Sequence, residues 1–464
     1  MKSQAMRSCL LALLTVLMPA MSRADLYSAT AAAEKKDFVR AFELFRELAE
    51  LGHRESQENL AVMYVNGEGV KRDNVLGYAW AALALENGGG EAAQGIVNQL
   101  EPHLNAAARA RIAEVRAKFG KAALEERLLP TPYVAGTSED AKPCLMRFPA
   151  NPDTYYPYDA KIQMISGTVL VEATVAPDGR ARNARAWYSL PANVFDEAGR
   201  RVAFASIFET PKENGVAVAC TIRFKVKFQV HTGSGIGPAT EEQKKVLAEV
   251  RAKAQAGDPR SQLTYALLRE MRPDMNVVSE PPTNWALMAA QAGVPAAQYL
   301  VGVQLLSSER EQSQRKGLVW LQMAADAGES DAQAALANYL LRTGSAEDFG
   351  KVQDLLEKAA ASGHRDGKFH LAAVLAAGPE VSRRDPKRAL DLLEQVKSDL
   401  DFDPTYFEIR AAANAMLGEY AEAQADQKQA MKKARKLGWD LTDAQARLSN
   451  YAASKPWTGN FFVY

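Results

Sequence analysis

Cysteine is nearly absent, with three in 464 residues. Cys9 lies in an N-terminal apolar run, which leaves Cys144 and Cys220 to form one intramolecular disulfide or to stay as two separate buried thiols. A disulfide-dense scaffold is therefore excluded. Histidine is almost as scarce, and none of His53, His103, His231, His364 and His370 stands near a cysteine or carboxylate at metal-ligand spacing. No Gly-x-Ser-x-Gly element marks a nucleophile, and the Asp and Glu pairs have the pattern of solvated helix faces. The reading is a non-enzymatic chain with no cofactor, no metal and no small-molecule substrate. An excess of one charge is missing too: 56 basic residues face 56 acidic ones, so nucleic acid is not an expected partner. The apolar run from Cys9 to Met21, broken by Pro19, is shorter than the ~20 residues that a spanning helix needs.

That run has the form of an export signal. Lys2 and Arg7 precede it, and Ser22-Arg23-Ala24 supplies a small-x-small cleavage site before Asp25. Residues 1–24 are read as a cleaved signal peptide, which makes the mature chain periplasmic. An uncleaved anchor in the inner membrane, facing the periplasm, is the competing reading. Without the signal the chain carries a net of about three negative charges.

What the chain has in place of a chemical motif is a period. A small-residue signature close to Ala-x-x-Gly ends at Gly52 and Gly88, then at Gly257, Gly293, Gly328 and Gly363, with 35 or 36 residues between neighbours on each side of an interrupting block. Trp80, Trp285 and Trp320 each sit eight residues before their glycine. Ser56-Gln57, Ser261-Gln262, Ala297-Gln298, Ala332-Gln333 and Gly367-Lys368 follow theirs by four and five. Apolar residues at Phe38, Ala41, Phe42, Phe45, Leu48 and Ala49 step as an amphipathic helix, and Gly52 supplies the left-handed residue that ends one. Such units cannot bury their apolar faces alone, so the period predicts an α-solenoid of stacked helix pairs.

In the interrupting block the alternation becomes that of strands. Thr168 to Val175 reads as a strand, Asp178-Gly179 as a turn, and Ala181 to Tyr188 as the hairpin partner. Phe195 to Phe204 reads as a helix, and Val216 to Val230 as a last strand after the Asn214-Gly215 turn. The expected fold class is thus multidomain: an α-solenoid with an inserted small α+β domain of order strand, strand, helix, strand.

Two family resemblances follow from these residues. The stretch from Leu60 through Tyr64, Gly67-Glu-Gly69-Val70 and Asp73 to Trp80 and Gly88 resembles the Sel1-like repeat, a relative of the tetratricopeptide repeat. Units after residue 240 resemble divergent members, and Ala411 to Ala434, with Gly418 and Tyr420, resembles a tetratricopeptide unit. The block resembles the TonB C-terminal domain. The matching residues are Tyr156-Pro157, Gly167-Thr-Val169-x-Val171, Asp178-Gly179, Phe195-Asp196-x-Ala198, Asn214-Gly215 and Arg223-Phe-Lys-Val-Lys-Phe228.

The first resemblance implies a protein–protein interaction scaffold. The second implies a sheet edge that captures an extended peptide from an outer-membrane transporter. Carried onto this chain, the capturing strand is Val218 to Phe228, with Cys220, Ile222, Arg223, Phe224 and Lys225 on it and Tyr156 and Pro157 flanking. A Cys144–Cys220 bridge would place residues 144 to 150 on or beside that edge. Arg223, Lys225 and Lys227 would equally suit a protected structural edge.

The domains expected are a signal at 1–24, a repeat block at 25–128, a linker at 129–143, the TonB-like domain at 144–231 and a linker at 232–240. Repeats follow at 241–400, a tetratricopeptide-like unit at 401–437 and an aromatic cap and tail at 438–464. Envelope proteins are the expected partners, with a role accessory to outer-membrane transport. The alternative is a signal-anchored, TonB-type energy transducer.

Overall fold

The helices begin and end where side chains can satisfy their free backbone groups. Asp37, Asp73 and Asn105 cap helices Phe38–Glu50, Asn74–Glu86 and Ala106–Phe119 by accepting backbone N–H groups of the first turn. His53 and His364 do the same for Arg54–Asn66 and Arg365–Ala377, accepting from the N–H of Ser56 and of Gly367. The glycines of the repeat period, Gly52, Gly88, Gly257, Gly293, Gly328 and Gly363, all have φ between 83° and 95°. This is the left-handed conformation that only glycine adopts without strain.

The computed structural model describes residues 24–130, 144–163, 165–190, 194–229, 241–271, 282–306, 308, 310–343 and 348–462. The body of the expected signal peptide, residues 131–143 of the first expected linker, all of the second at 232–240, and Val463 and Tyr464 lie outside the described residues. The fold is mainly helical with an inserted α+β module, and it divides into two compact units. One holds the described residues of 24–130 and 241–332, the other those of 144–229 and 333–462.

In the first unit, helix pairs stack around small residues. Helix Phe38–Glu50 buries Ala41, Phe42, Leu44, Phe45, Leu48 and Ala49, and helix Arg54–Asn66 buries Leu60, Ala61 and Met63. Trp80, Trp285 and Trp320 are all buried; Trp80 packs on Phe119 and Trp285 edge-on to Tyr265, each at 5.3 Å between ring centroids. Gly67 ends helix Arg54–Asn66 in the left-handed conformation at φ 76°. A side chain on Gly69 would start 2.0 Å from the Phe38 carbonyl oxygen, so this loop is an interhelix turn in which the backbone passes too close for any other residue.

The sequence pattern did not disclose the work of the glutamines. Gln57, Gln262 and Gln298 are buried, and each donates from Nε2 to the carbonyl three residues before its repeat's glycine: Ala49 at 3.1 Å, Ala254 at 3.3 Å and Ala290 at 3.2 Å. The second helix of each pair thereby adds a second hydrogen bond to a carbonyl at the end of the first that already accepts the N–H of the repeat's glycine.

Among the described residues the second unit has the strands β1 (Leu145–Phe148), β2 (Gly167–Val175), β3 (Ala181–Leu190), β4 (Ile207–Glu209), β5 (Lys212–Glu213), β6 (Val216–Ala217) and β7 (Cys220–Phe228). A three-stranded antiparallel sheet has the order β3-β2-β7, and helix Asp196–Ala205 packs on it. Gly199 lets that helix sit close, since a Cβ there would meet Val169 Cγ1 at 2.6 Å. The expected last strand, Val216 to Val230, is in fact two. Asn214 (φ 52°) and Gly215 (φ 83°) make a tight hairpin of β5 and β6, and the chain leaves it before entering β7. The β1–β4 pair was not expected either.

In the same unit the aromatic tail folds back. Gly459 donates to the Ala377 carbonyl at 2.9 Å and Asn460 to that of Leu341 at 2.7 Å. The Phe462 ring lies edge-on to His370 at 4.5 Å.

Candidate peptide-capture edge

β2 sits between its neighbours in full register with β7, from Gly167↔Phe228 to Val175↔Cys220. Because side chains alternate along a strand, the sheet has two different faces. One carries Val169, Val171, Ala173 and Val175 of β2 with Ile222, Phe224, Val226 and Phe228 of β7, and it forms the core of the module with Phe195, Val202 and Phe204. The other carries Thr168, Glu172 and Thr174 with Asn183 and Arg185 of β3 and Thr221, Arg223, Lys225 and Lys227 of β7.

The polar face is largely dressed by its own unit. Glu172 takes Arg185 at 3.3 Å and Arg223 at 3.1 Å, and its side chain is only 18% exposed. Burial pushes the Glu172 carboxyl up, but the two guanidinium groups outweigh it and hold it below the ordinary carboxylate range. Asn183 lies 3.4 Å from His370 on helix Arg365–Ala377, and Arg342 on helix Ser330–Thr343 donates to the Thr221 hydroxyl at 3.1 Å. Burial lowers the His370 imidazole to about 4, so it packs as a neutral ring.

β7 is the terminal strand of this sheet, and no strand among the described residues pairs with its outer side. Cys220 opens β7 and is disulfide-bonded to Cys144, with 5.8 Å between the Cα atoms. The bridge brings residues 144–148 beside the start of β7 but not onto its edge, since β1 pairs with β4 through Leu145↔Glu209 and Met146↔Phe208. Tyr156 and Pro157 lie at the opposite end of β7. The Tyr156 ring packs edge-on to Phe228 at 5.7 Å and to Phe195 at 5.6 Å, and its hydroxyl donates to the Ile165 carbonyl at 2.6 Å. Pro157 precedes the short helix Tyr158–Ile162.

Cys220, Ile222, Arg223, Phe224 and Lys225 therefore share one strand. Val218 stands before it, donating its N–H to the Pro211 carbonyl. Arg223 is turned toward Glu172, whereas Thr221, Lys225 and Lys227 are exposed.

Residues 152–230 match the family model of the Gram-negative bacterial TonB protein C-terminal domain, and residues 32–53, 54–89, 295–329, 330–364 and 366–395 match the Sel1 repeat. This chain sets a TonB C-terminal domain among Sel1 repeats. Two of the solved structures similar to it illustrate the likeness. A protective antigen present in uropathogenic Escherichia coli strains, displaying an SLR fold, has 16% identity and TM-score 0.32, covering 90% of this chain and 80% of the antigen. A Sel1 repeat protein from Oxalobacter formigenes has 12% identity and TM-score 0.31, covering 81% of this chain and 99% of its own. No curated protein matches.

Both families belong to protein-interaction scaffolds rather than to catalysts. The TonB-like domain here has its polar face against repeat helices of its own unit and its β7 edge at the end of the sheet. Among the described residues no cluster of His, Cys, Asp or Glu is disposed to hold a metal ion, and no helix is long and apolar enough to cross a membrane.

Proposed function

We propose that the chain is an exported periplasmic scaffold that captures an extended peptide of an envelope protein on the outer edge of β7, as an accessory of outer-membrane transport. The observation carrying this reading is the position of β7 at the end of the order β3-β2-β7. A terminal strand offers a row of backbone donors and acceptors to an incoming strand. The disulfide suits an oxidising compartment. Helical repeats supply a second binding surface on the same chain, and tethering makes the second contact intramolecular.

The test is photocrosslinking in intact cells. The probe belongs at Lys227, which is exposed, rather than at Arg223, which is engaged with Glu172. Capture of an outer-membrane transporter supports the reading, and absence of any intermolecular product from Thr221, Lys225 and Lys227 overturns it. Sequencing the mature N-terminus separates the scaffold, which starts at Asp25, from a signal-anchored transducer, which keeps Met1.

A further inference from the structure

We infer that the aromatic segment 457–462 is the resident ligand of a peptide site on the helices of the second unit, and that a partner protein carrying Trp-x-Gly-Asn-aromatic-aromatic in an extended segment takes its place. The inference is independent of the β7 edge.

The segment is joined to the fold in a way that lets it leave as a unit. Residues 453–456, which follow helix Thr442–Ala452, are all exposed; burial resumes at Trp457, and Phe461 and Phe462 are buried. The helix end does not depend on what comes after. Its last carbonyls accept the N–H of Ser454, at Tyr451, and of Lys455, at Asn450.

Each residue of the pattern answers to a feature of the site. Gly459 donates its N–H to the Ala377 carbonyl at 2.9 Å, and a Cβ on it would meet Trp457 Cζ2 at 2.5 Å, so glycine is required two places after the tryptophan. Asn460 works in both directions. Its Nδ2 donates to the Leu341 carbonyl at 2.7 Å while its Oδ1 accepts the N–H of Phe462 at 2.9 Å. Ala377 and Leu341 both lie in the last turn of their helices, Arg365–Ala377 and Ser330–Thr343, where carbonyls lack an intrahelical partner. An aspartate in place of Asn460 has no donor for Leu341. Trp457 packs among Ala411, Ala415, Ala423 and Tyr451 and lies 4.7 Å from Phe461 between ring centroids. The Arg447 guanidinium, paired with Glu408 at 2.6 Å, stands over both rings at 5.2 Å and 5.7 Å. Phe462 meets Phe369 and His370, and His370 in turn approaches Asn183 of β3. The occupant of the site is thus one side chain away from the sheet of the TonB-like domain.

The experiment follows a fluorescent peptide of residues 455–462 by polarisation against two forms of the full chain. One is wild type; the other carries Phe461→Ala and Phe462→Ala, which weaken the resident segment and leave the walls of the site unchanged. The double variant is expected to bind the peptide saturably and wild type about tenfold more weakly or worse, because the tethered segment competes at an effective concentration of ~mM. A peptide with Asn460→Asp is expected to lose about tenfold on the double variant, through the missing donor. A folded double variant that does not bind, equal binding by wild type, or equal binding of the Asn460→Asp peptide overturns the inference. Where the double variant fails to fold, wild type with a protease site built into 453–456 is cut instead. Replacement of the cut segment by excess labelled peptide, with the helices still folded, supports the inference. A segment that never exchanges, or whose departure unfolds the unit, overturns it.

Discussion

Trp320 donates its indole N–H to the carbonyl of Leu128 at 2.9 Å, across 192 residues of sequence. Leu128 precedes the inserted domain and Trp320 follows it, so the repeats that flank the insertion in sequence close into one hydrogen-bonded core within their unit. Lys316, one turn earlier on the same helix, donates to the neighbouring Leu129 carbonyl at 3.0 Å.

Trp320→Phe keeps most of the buried ring and strands the Leu128 carbonyl, and is expected to cost about 1–3 kcal/mol. Trp320→Ala also opens a cavity and is expected to cost about 3–5 kcal/mol. Urea titration of both variants checks the order; equal stability of wild type and Trp320→Phe would show that the bond contributes nothing.

Cys144→Ser opens a disulfide that spans 76 residues. The expected loss is about 2–4 kcal/mol, because the unfolded chain regains the freedom that the bridge removed. Thermal melts with and without reductant give the measurement. Wild type should fall to the level of the variant on reduction, and the variant should not respond.

Phe462 is 3% exposed and lies between Phe369 and His370. Phe462→Ala is expected to destabilise the second unit by about 3–5 kcal/mol and to speed amide exchange in helix Arg365–Ala377. Unchanged exchange there would mean that the tail packs without supporting the helix.

Asp403 caps helix Pro404–Met416 while only 2% exposed, and burial raises its carboxyl to about 7. A folded-state pKa above the unfolded one gives stability that is fully present below about pH 4 and is lost as pH rises toward about 7. Asp403→Asn does not titrate. Its stability relative to wild type should therefore climb by roughly 1.4 kcal/mol per pH unit across that window and level off above it. Chemical denaturation at pH 4.5, 6 and 8 reads the slope, and a flat difference would sink the assignment.

The sequence alone determined what is local. The 35- or 36-residue period, the left-handed glycines from Gly52 to Gly363 and the buried tryptophans follow from which residues can end a helix or fill a groove. The strand, strand, helix, strand order of the module follows from a switch of period. Tertiary structure decided what depends on distant groups meeting. Gln57 bonding to Ala49 was hidden because the pattern shows a recurring glutamine and not its acceptor. The β1–β4 pair, the pairing of Glu172 with Arg223, and the placing of Arg342 at Thr221 join segments 51 to 121 residues apart, and β1 is only four residues long. No local periodicity encodes such pairings; they are set by which faces remain to be covered once each element has formed.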